Sequence, residues 1–279
     1  MSKTLTLGYS PCPNDTFIFH ALVHGLLPDL DFRIEERLED VETLNQLARR
    51  CALDLTKISY HALGHLRQDY ILLRSGGALG RGCGPLVVAP KPTSMEDLKG
   101  ALIAIPGELT TANLLLQLYG EGFHNVVPLP FEQVMPAVVA GRVAAGVIIH
   151  ESRFTYQGHG LCRVTDLGAW WEEETGHPIP LGGILARRSL GRDLIGAVER
   201  GIRASLEYAF AHPDVPRSYI HQHAQELDDA VIDQHIGLYV NDFSLDLGSE
   251  GLAAVDDLLD RAERRGLIPR CDLPLYLGD

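Results

Sequence analysis

The chain has few cysteines, and they are scattered: Cys12, Cys51, Cys83, Cys162 and Cys271 in 279 residues. The number is odd and no CxxC pair occurs. A disulfide framework and a structural zinc are therefore not expected, and a reduced compartment is. Positive charge is also short. Twenty-four Lys and Arg face 37 Asp and Glu, for a formal net charge of −13. Such a chain is poorly suited to displace counterions from a polyanion, so nucleic acid is not an expected partner. An anionic small molecule is still permitted, because a local cluster of donors can outweigh the global field. No apolar run approaches the roughly 20 residues that span a bilayer, so no membrane association is expected. An apolar strand pattern begins by Leu5, with no basic segment and apolar leader ahead of it, which makes a cytoplasmic location the expectation. Familiar catalytic signatures are missing too. There is no GxSxG elbow and no HExxH. The five glycines between Ser75 and Gly84 fit neither GxxxxGK[ST] nor GxGxxG, and read instead as a hinge or a cleft-lining loop.

What is present is ordinary globular material, 46% hydrophobic and 22% charged, long enough for one large or two medium domains. Strand-like and helix-like segments alternate. The first series reads as strands at 5–9, 31–37, 53–59 and 70–74, with helices at 17–24, 41–50 and 61–67. After the Gly/Pro-rich break, strands are expected at 85–89, 101–106, 126–130 and 145–150. The accompanying helices fall at 95–99, 111–119, 132–140 and 167–176, and an extended segment follows at 181–187. This βαβ rhythm predicts mainly parallel sheets covered by helices. Two long amphipathic helices come later, one with Leu194, Val198, Ile202, Leu206 and Phe210 on a face, the other with Leu252, Val255, Leu258, Leu259 and Ala262. Gly266 is placed to cap the second. Two α/β series suggest two lobes, residues 1–88 with 183–279 and residues 89–182, holding a small ligand in the cleft between them.

Several residues sit where α/β sheets bind ligands, at the carboxyl ends of strands. The turn Ser10 to Asp15 joins the first strand to a helix that Asn14 or Asp15 can cap, and Asn14 is the turn residue favoured to touch ligand. His150 ends an apolar run and titrates near neutral pH, so it is a candidate general base; the plainer reading is a strand-end histidine bonded to a carbonyl. Thr110 and Thr111 open a helix after a strand. Free amides, a partial positive charge and two hydroxyls suit a carboxylate there, although threonine is also an ordinary N-cap. Ser59 can donate to a ligand and the Ile58 backbone can pair with one, against the simpler reading of a turn. His20 with His24, and His61 with His65, have metal-compatible i, i+4 spacing but lack a third ligand, so no metal is expected. Cys12 precedes a helix, yet no base is identifiable for it from sequence. Trp170 and Trp171 read as core packing plus surface.

Four segments together carry a recognisable pattern: Gly8 to Phe17 (GYSPCPNDTF), Lys57 to His61 (KISYH), Thr110-Thr111-Ala112, and Ile149 to Tyr156 (IHESRFTY). Their order and spacing resemble the 1,4-dihydroxy-6-naphthoate synthases, enzymes of the futalosine route to menaquinone. The resemblance covers most of the chain. It implies a two-lobed α/β fold of the type II periplasmic-binding-protein kind. It also implies a carbon–carbon lyase acting on cyclic dehypoxanthine futalosine, with no cofactor. By similarity His150 is the proton acceptor, while Lys57, Ile58, Ser59, Thr110 and Thr111 match substrate-binding positions, the substrate being a small carboxylate. A transporter's solute-binding protein, a chorismate dehydratase on the same scaffold and a ligand-responsive regulatory domain are the alternatives.

Overall fold

Two separate sheets take up the alternating segments of the chain. The computed structural model describes residues 3–28, 30–224 and 228–278. The first run consists of β1 (Lys3–Tyr9), α1 (Pro13–Val23), β2 (Phe32–Leu38), α2 (Val41–Arg49), β3 (Leu55–Ser59), α3 (Tyr60–Leu66), β4 (Tyr70–Leu72) and β5 (Ala78–Gly80). The second has β6 (Leu86–Ala89), β7 (Ile103–Ile105), α4 (Thr111–Tyr119), β8 (Val126–Pro128), α5 (Phe131–Val139), β9 (Ala145–Ile148), α6 (Ser152–Thr155), β10 (Cys162–Asp166) and α7 (Leu167–Thr175). Then come β11 (Ile179–Arg187), α8 (Arg192–Ala211), α9 (Arg217–His223), α10 (Asp229–Tyr239), α11 (Asp242–Leu245) and α12 (Gly248–Arg264).

The first sheet has the order β2-β1-β3-β11-β4, with β5 also paired to β11. Its β1 runs parallel to β2 and β3, whereas β11 is antiparallel to β3, β4 and β5. The second sheet runs β10-β6-β9-β7-β8, parallel around β7 and antiparallel around β6. Central strands covered on both faces have no solvent side, and β3 is buried at all five positions. One consequence is a very close approach where β11 crosses β3. A Cβ added at Gly182 would stand 2.6 Å from the Ile58 carbonyl oxygen, so only glycine fits there. The chain passes from the first sheet to the second between β5 and β6, and returns between α7 and β11.

Helix α8 lies against α1 and presents Val198, Ile202 and Leu206 to the core beside Leu5, Leu7 and Ile184. Ser205 of α8 is a buried polar group in this contact. Its hydroxyl donates to the Ile18 carbonyl and accepts from the Leu22 amide, so nothing is left unpaired. Phe210 departs from the expected buried stripe: it is 44% exposed at the end of α8, with one ring contact to Phe17. Trp171 is fully buried and donates to the Pro178 carbonyl, while Trp170 is half-buried against Tyr119. Gly266, at φ +68°, closes α12 by donating to the Glu263 carbonyl.

Helix α1 starts earlier than the capping residues suggest. Pro13 occupies its first turn, where a missing N–H costs nothing and the fixed φ helps. Cys12 is the N-cap residue, its carbonyl accepting from the Asp15 and Thr16 amides. Asn14 and Asp15 are therefore inside the helix and do not cap it. Strands β5 and β10 and helices α6 and α9 to α11 are additional to the elements expected from sequence. Among the described residues no helix is long and apolar enough to cross a membrane.

Candidate active site

The carboxyl ends of β1 and β3, the start of α4, the turn after β9 and the last turns of α10 meet around one cavity. It encloses about 690 Å³, mouth included. All of Asn14, Lys57, Ile58, Ser59, Thr110, Thr111 and His150 line it.

A buried polar network forms one wall. Asp15 accepts from the Ser10 amide (3.1 Å), the Ser10 hydroxyl (2.7 Å) and Asn14 Nδ2 (2.8 Å), and pairs with Lys57 Nζ at 2.9 Å. Lys57 also donates to the Gly76 carbonyl at 3.2 Å. Both side chains of the ion pair are almost fully buried, so the cation is compensated and one of its three N–H donors is left for a ligand. Because the carboxylate needs a donor, Asn14 turns its amide nitrogen to Asp15 and its Oδ1 to His235, which donates from Nε2 at 3.0 Å. Burial lowers the pKa of His235 to about 3, helped by the neighbouring His150. That imidazole is neutral through the physiological range.

His150 lies just beyond β9, in a turn that starts α6. Its φ of +56° is in the left-handed region, which histidine enters more readily than most residues. The ring is half-buried. Nδ1 is 3.6 Å from Cys12 Sγ, Phe131 meets the ring edge at 5.1 Å, and His235 lies nearly parallel at 6.3 Å. Loss of solvent pushes the His150 pKa down, against opposing pulls from Glu151 and Asp15, and so favours the neutral ring that can accept a proton. The Cys12 thiol is pushed up by burial and next by the Glu151 charge, so it stays protonated. His150 is the imidazole next to Cys12 that sequence could not identify, but the thiol is not an activated nucleophile.

At the opposite wall α4 points its N-terminus at the cavity. Thr110 is the N-cap; its hydroxyl donates to the Gly107 carbonyl and accepts from the Asn113 amide. The Thr111 hydroxyl donates to the Leu181 carbonyl and accepts from the Tyr60 amide. Both hydroxyl hydrogens are thus committed to carbonyls, contrary to the expectation that they serve a ligand. What α4 offers is the first-turn amides of Thr111 and Ala112, to which no acceptor is bonded among the described residues, with the positive end of the helix dipole behind them. Nearby Ser59 accepts from Asn45 Nδ2, and its amide donates to Asn45 Oδ1. Its own hydroxyl hydrogen has no acceptor among the described residues.

Sequence reasoning missed His235 and Tyr239, which enter the cavity from α10. The His20 and His24 rings stack on each other, and the His61 and His65 rings are 5.5 Å apart. Neither pair belongs to a three-ligand cluster among the described residues.

Sheet order, two-sheet architecture and a cleft lined from both sheets define a class: α/β proteins built on the periplasmic-binding-protein scaffold. The alkanesulfonate-binding protein of Xanthomonas axonopodis has this fold, with a TM-score of 0.71 at 15% identity over 96% of this chain and 94% of its own. A Candida albicans protein described as having the generic periplasmic binding protein fold also scores 0.71, at 15% identity over 96% and 92%. At that identity only the fold is shared. A crystal structure of an Archaeoglobus fulgidus protein is much nearer, with a TM-score of 0.88 and 36% identity over 95% of this chain and 98% of that one. A family model described as menaquinone biosynthesis matches residues 5–264. A Thermus thermophilus protein named 1,4-dihydroxy-6-naphtoate synthase is 54% identical over 275 residues, 99% of this chain and all of the relative. A Streptomyces coelicolor protein of the same name is 48% identical over 96% of each chain. The chain belongs to the menaquinone-biosynthesis family.

Proposed function

We propose that this protein is a carbon–carbon lyase that converts cyclic dehypoxanthine futalosine to 1,4-dihydroxy-6-naphthoate, with His150 as general base. The observation that carries the reading is a single cavity lined by a neutral histidine, by free helix-N-terminal amides and by the Ser59 hydroxyl. The names of two relatives, 54% and 48% identical, support 1,4-dihydroxy-6-naphthoate as the product. The substrate carboxylate binds the Thr111 and Ala112 amides, with Ser59 and the remaining Lys57 donor beside it. Nδ1 of His150 faces Cys12 Sγ at 3.6 Å, and in the tautomer that carries the proton on Nδ1 the Nε2 lone pair is left for the substrate. Nε2 removes a proton from carbon next to the ring ketone. The C–H electron pair forms the new ring double bond, the bond to the spiro-fused sugar carbon breaks with its electron pair leaving on the sugar fragment, that carbon takes the proton back from the His150 imidazolium, and the ring becomes aromatic. No cofactor is needed, because aromatisation supplies the driving force. The lobes are proposed as residues 1–88 with 183–279 and residues 89–182, limits that fall within β6 and β11. Their closure excludes water and fixes the base against the C–H bond.

The test is incubation of purified protein with cyclic dehypoxanthine futalosine and, separately, with chorismate, products being followed by chromatography. Naphthoate formed from the first compound alone is expected. Turnover of chorismate, or of neither compound, would reject the assignment. A structure with product bound should have the product carboxylate on the α4 amides.

A further inference from the structure

The face of His150 turned towards Cys12 has chemistry of its own. Cys12 Sγ, a ring nitrogen of His150 and a carboxylate oxygen of Glu151 all lie within 4.8 Å of one another. The Sγ to Nδ1 separation is 3.6 Å. A tetrahedral zinc with bonds of about 2.3 Å to sulfur and about 2.05 Å to nitrogen requires an edge of about 3.5 Å between those ligands. Two of the three donors are therefore already at coordination spacing, and the Glu151 carboxylate, within 4.8 Å of both, is close enough to share an ion with them. A second observation points the same way. Glu151 Oε2 is buried without a hydrogen-bond partner among the described residues, a costly state for a carboxylate that a cation would relieve. The three donors also line a second cavity of about 620 Å³, mouth included, which adjoins the first at Ser10, Val41, His150 and His235. It leaves room for a fourth ligand from solvent.

We infer that Cys12, His150 and Glu151 form a binding site for a thiophilic divalent cation such as Zn²⁺. Thiolate, imidazole and carboxylate are all good zinc donors, and a thiolate disfavours Mg²⁺ and Ca²⁺. On binding, Cys12 releases its thiol proton to solvent and a Zn–S bond forms. Thiolate and carboxylate then neutralise the dication, so the half-buried site carries no net charge. His150 binds through Nδ1, which shifts its ring proton to Nε2 and leaves no lone pair to accept another. The metal is thus an inhibitor of proton abstraction and not a cofactor. That last consequence rests on His150 being the base; the metal site itself does not.

The test uses full-length protein freed of metal with a chelator. Zn²⁺ is titrated by isothermal calorimetry, and Co²⁺ is added separately as a spectroscopic probe. The wild type is expected to bind one Zn²⁺, and its Co²⁺ form to show a thiolate charge-transfer band with tetrahedral d–d absorption. Cys12→Ala should abolish the band and weaken Zn²⁺ by more than the roughly 10- to 100-fold that loss of a supporting residue costs. Glu151→Gln, which keeps the shape of the half-buried side chain, should weaken Zn²⁺ and retain the band, and Cys271→Ser should change neither. No stoichiometric binding by the wild type, or binding unchanged by both Cys12→Ala and Glu151→Gln, would overturn the site. Turnover with and without Zn²⁺ is read separately. Inhibition reversed by chelator is expected. Stoichiometric binding through Cys12 with undiminished turnover would leave the site standing and remove His150 from the reaction.

Discussion

Replacing Lys57 by methionine should destabilise the fold far more than loss of a surface charge. The Lys57 and Asp15 side chains are 6% and 2% exposed and 2.9 Å apart. Removing the cation leaves a buried carboxylate with three donors, the Ser10 amide, the Ser10 hydroxyl and Asn14 Nδ2. Breaking one side of a buried ion pair typically costs about 3–5 kcal/mol. The three remaining hydrogen bonds and the apolar methionine stem place the expectation at the lower end, about 3 kcal/mol. With a urea m-value of about 3 kcal/mol/M, the unfolding midpoint should fall by about 1 M. The assay is urea unfolding at neutral pH followed by far-UV circular dichroism. In the double variant Asp15→Asn/Lys57→Met no charge is left unpaired, and most of the loss should be recovered. A Lys57→Met midpoint within about 0.2 M of wild type, or strictly additive losses in the double variant, would refute the view that a buried pair organises this wall.

Two further predictions come from groups close to the cavity. Thr111→Val leaves both the Tyr60 amide and the Leu181 carbonyl without the hydroxyl that joins them, and should cost about 1–3 kcal/mol in urea unfolding; unchanged stability would show that the bridge is replaceable. His61 is buried and its pKa is lowered from 6.5 to about 4, first by burial. The unfolded chain then binds the extra proton, so this contribution is full above pH 6.5 and is lost as pH falls towards 4, up to about 3 kcal/mol in all. Urea midpoints measured from pH 7 to 4.5 should decline less steeply in His61→Gln than in wild type, and parallel declines would contradict the assignment.

The sequence was most readable where local patterning and final burial agree. β1, α2, α4 and α12 carry simple apolar periodicities; the bounds of the first three match the expectations to within about two residues, and α12 contains the expected apolar stripe. Prediction weakened where tertiary contacts decide. β5 is three residues of a glycine-rich stretch and is a strand only because β11 lies beside it. Helix α10 mixes Asp, Gln and His with its apolar residues, so its buried face is weakly marked. His235 consequently looked like any other histidine, although it reaches the cavity and bonds Asn14 from 221 positions away. The same limit hid the Cys12–His150 contact, which joins turns 138 positions apart. In α1, proline chemistry at the first turn prevailed over the capping preference of Asn and Asp. The seven candidate residues nonetheless line one cavity: strand ends, a turn and a helix start pointed to Ile58, Ser59, His150, Asn14, Thr110 and Thr111, because α/β topology brings those points to one cleft, whereas Lys57 was singled out only by the family resemblance. Roles were less legible than positions: the Thr110 and Thr111 hydroxyls are bonded to carbonyls, and only coordinates reveal that.

The central claim is that the His150 ring takes a proton from carbon. It is tested most directly by single-turnover kinetics of His150→Asn with cyclic dehypoxanthine futalosine, alongside calorimetric titration of the naphthoate product. The account predicts a folded variant that binds product with near-wild-type affinity and turns over about 10²- to 10⁴-fold more slowly. A folded variant that retains near-wild-type turnover would contradict it.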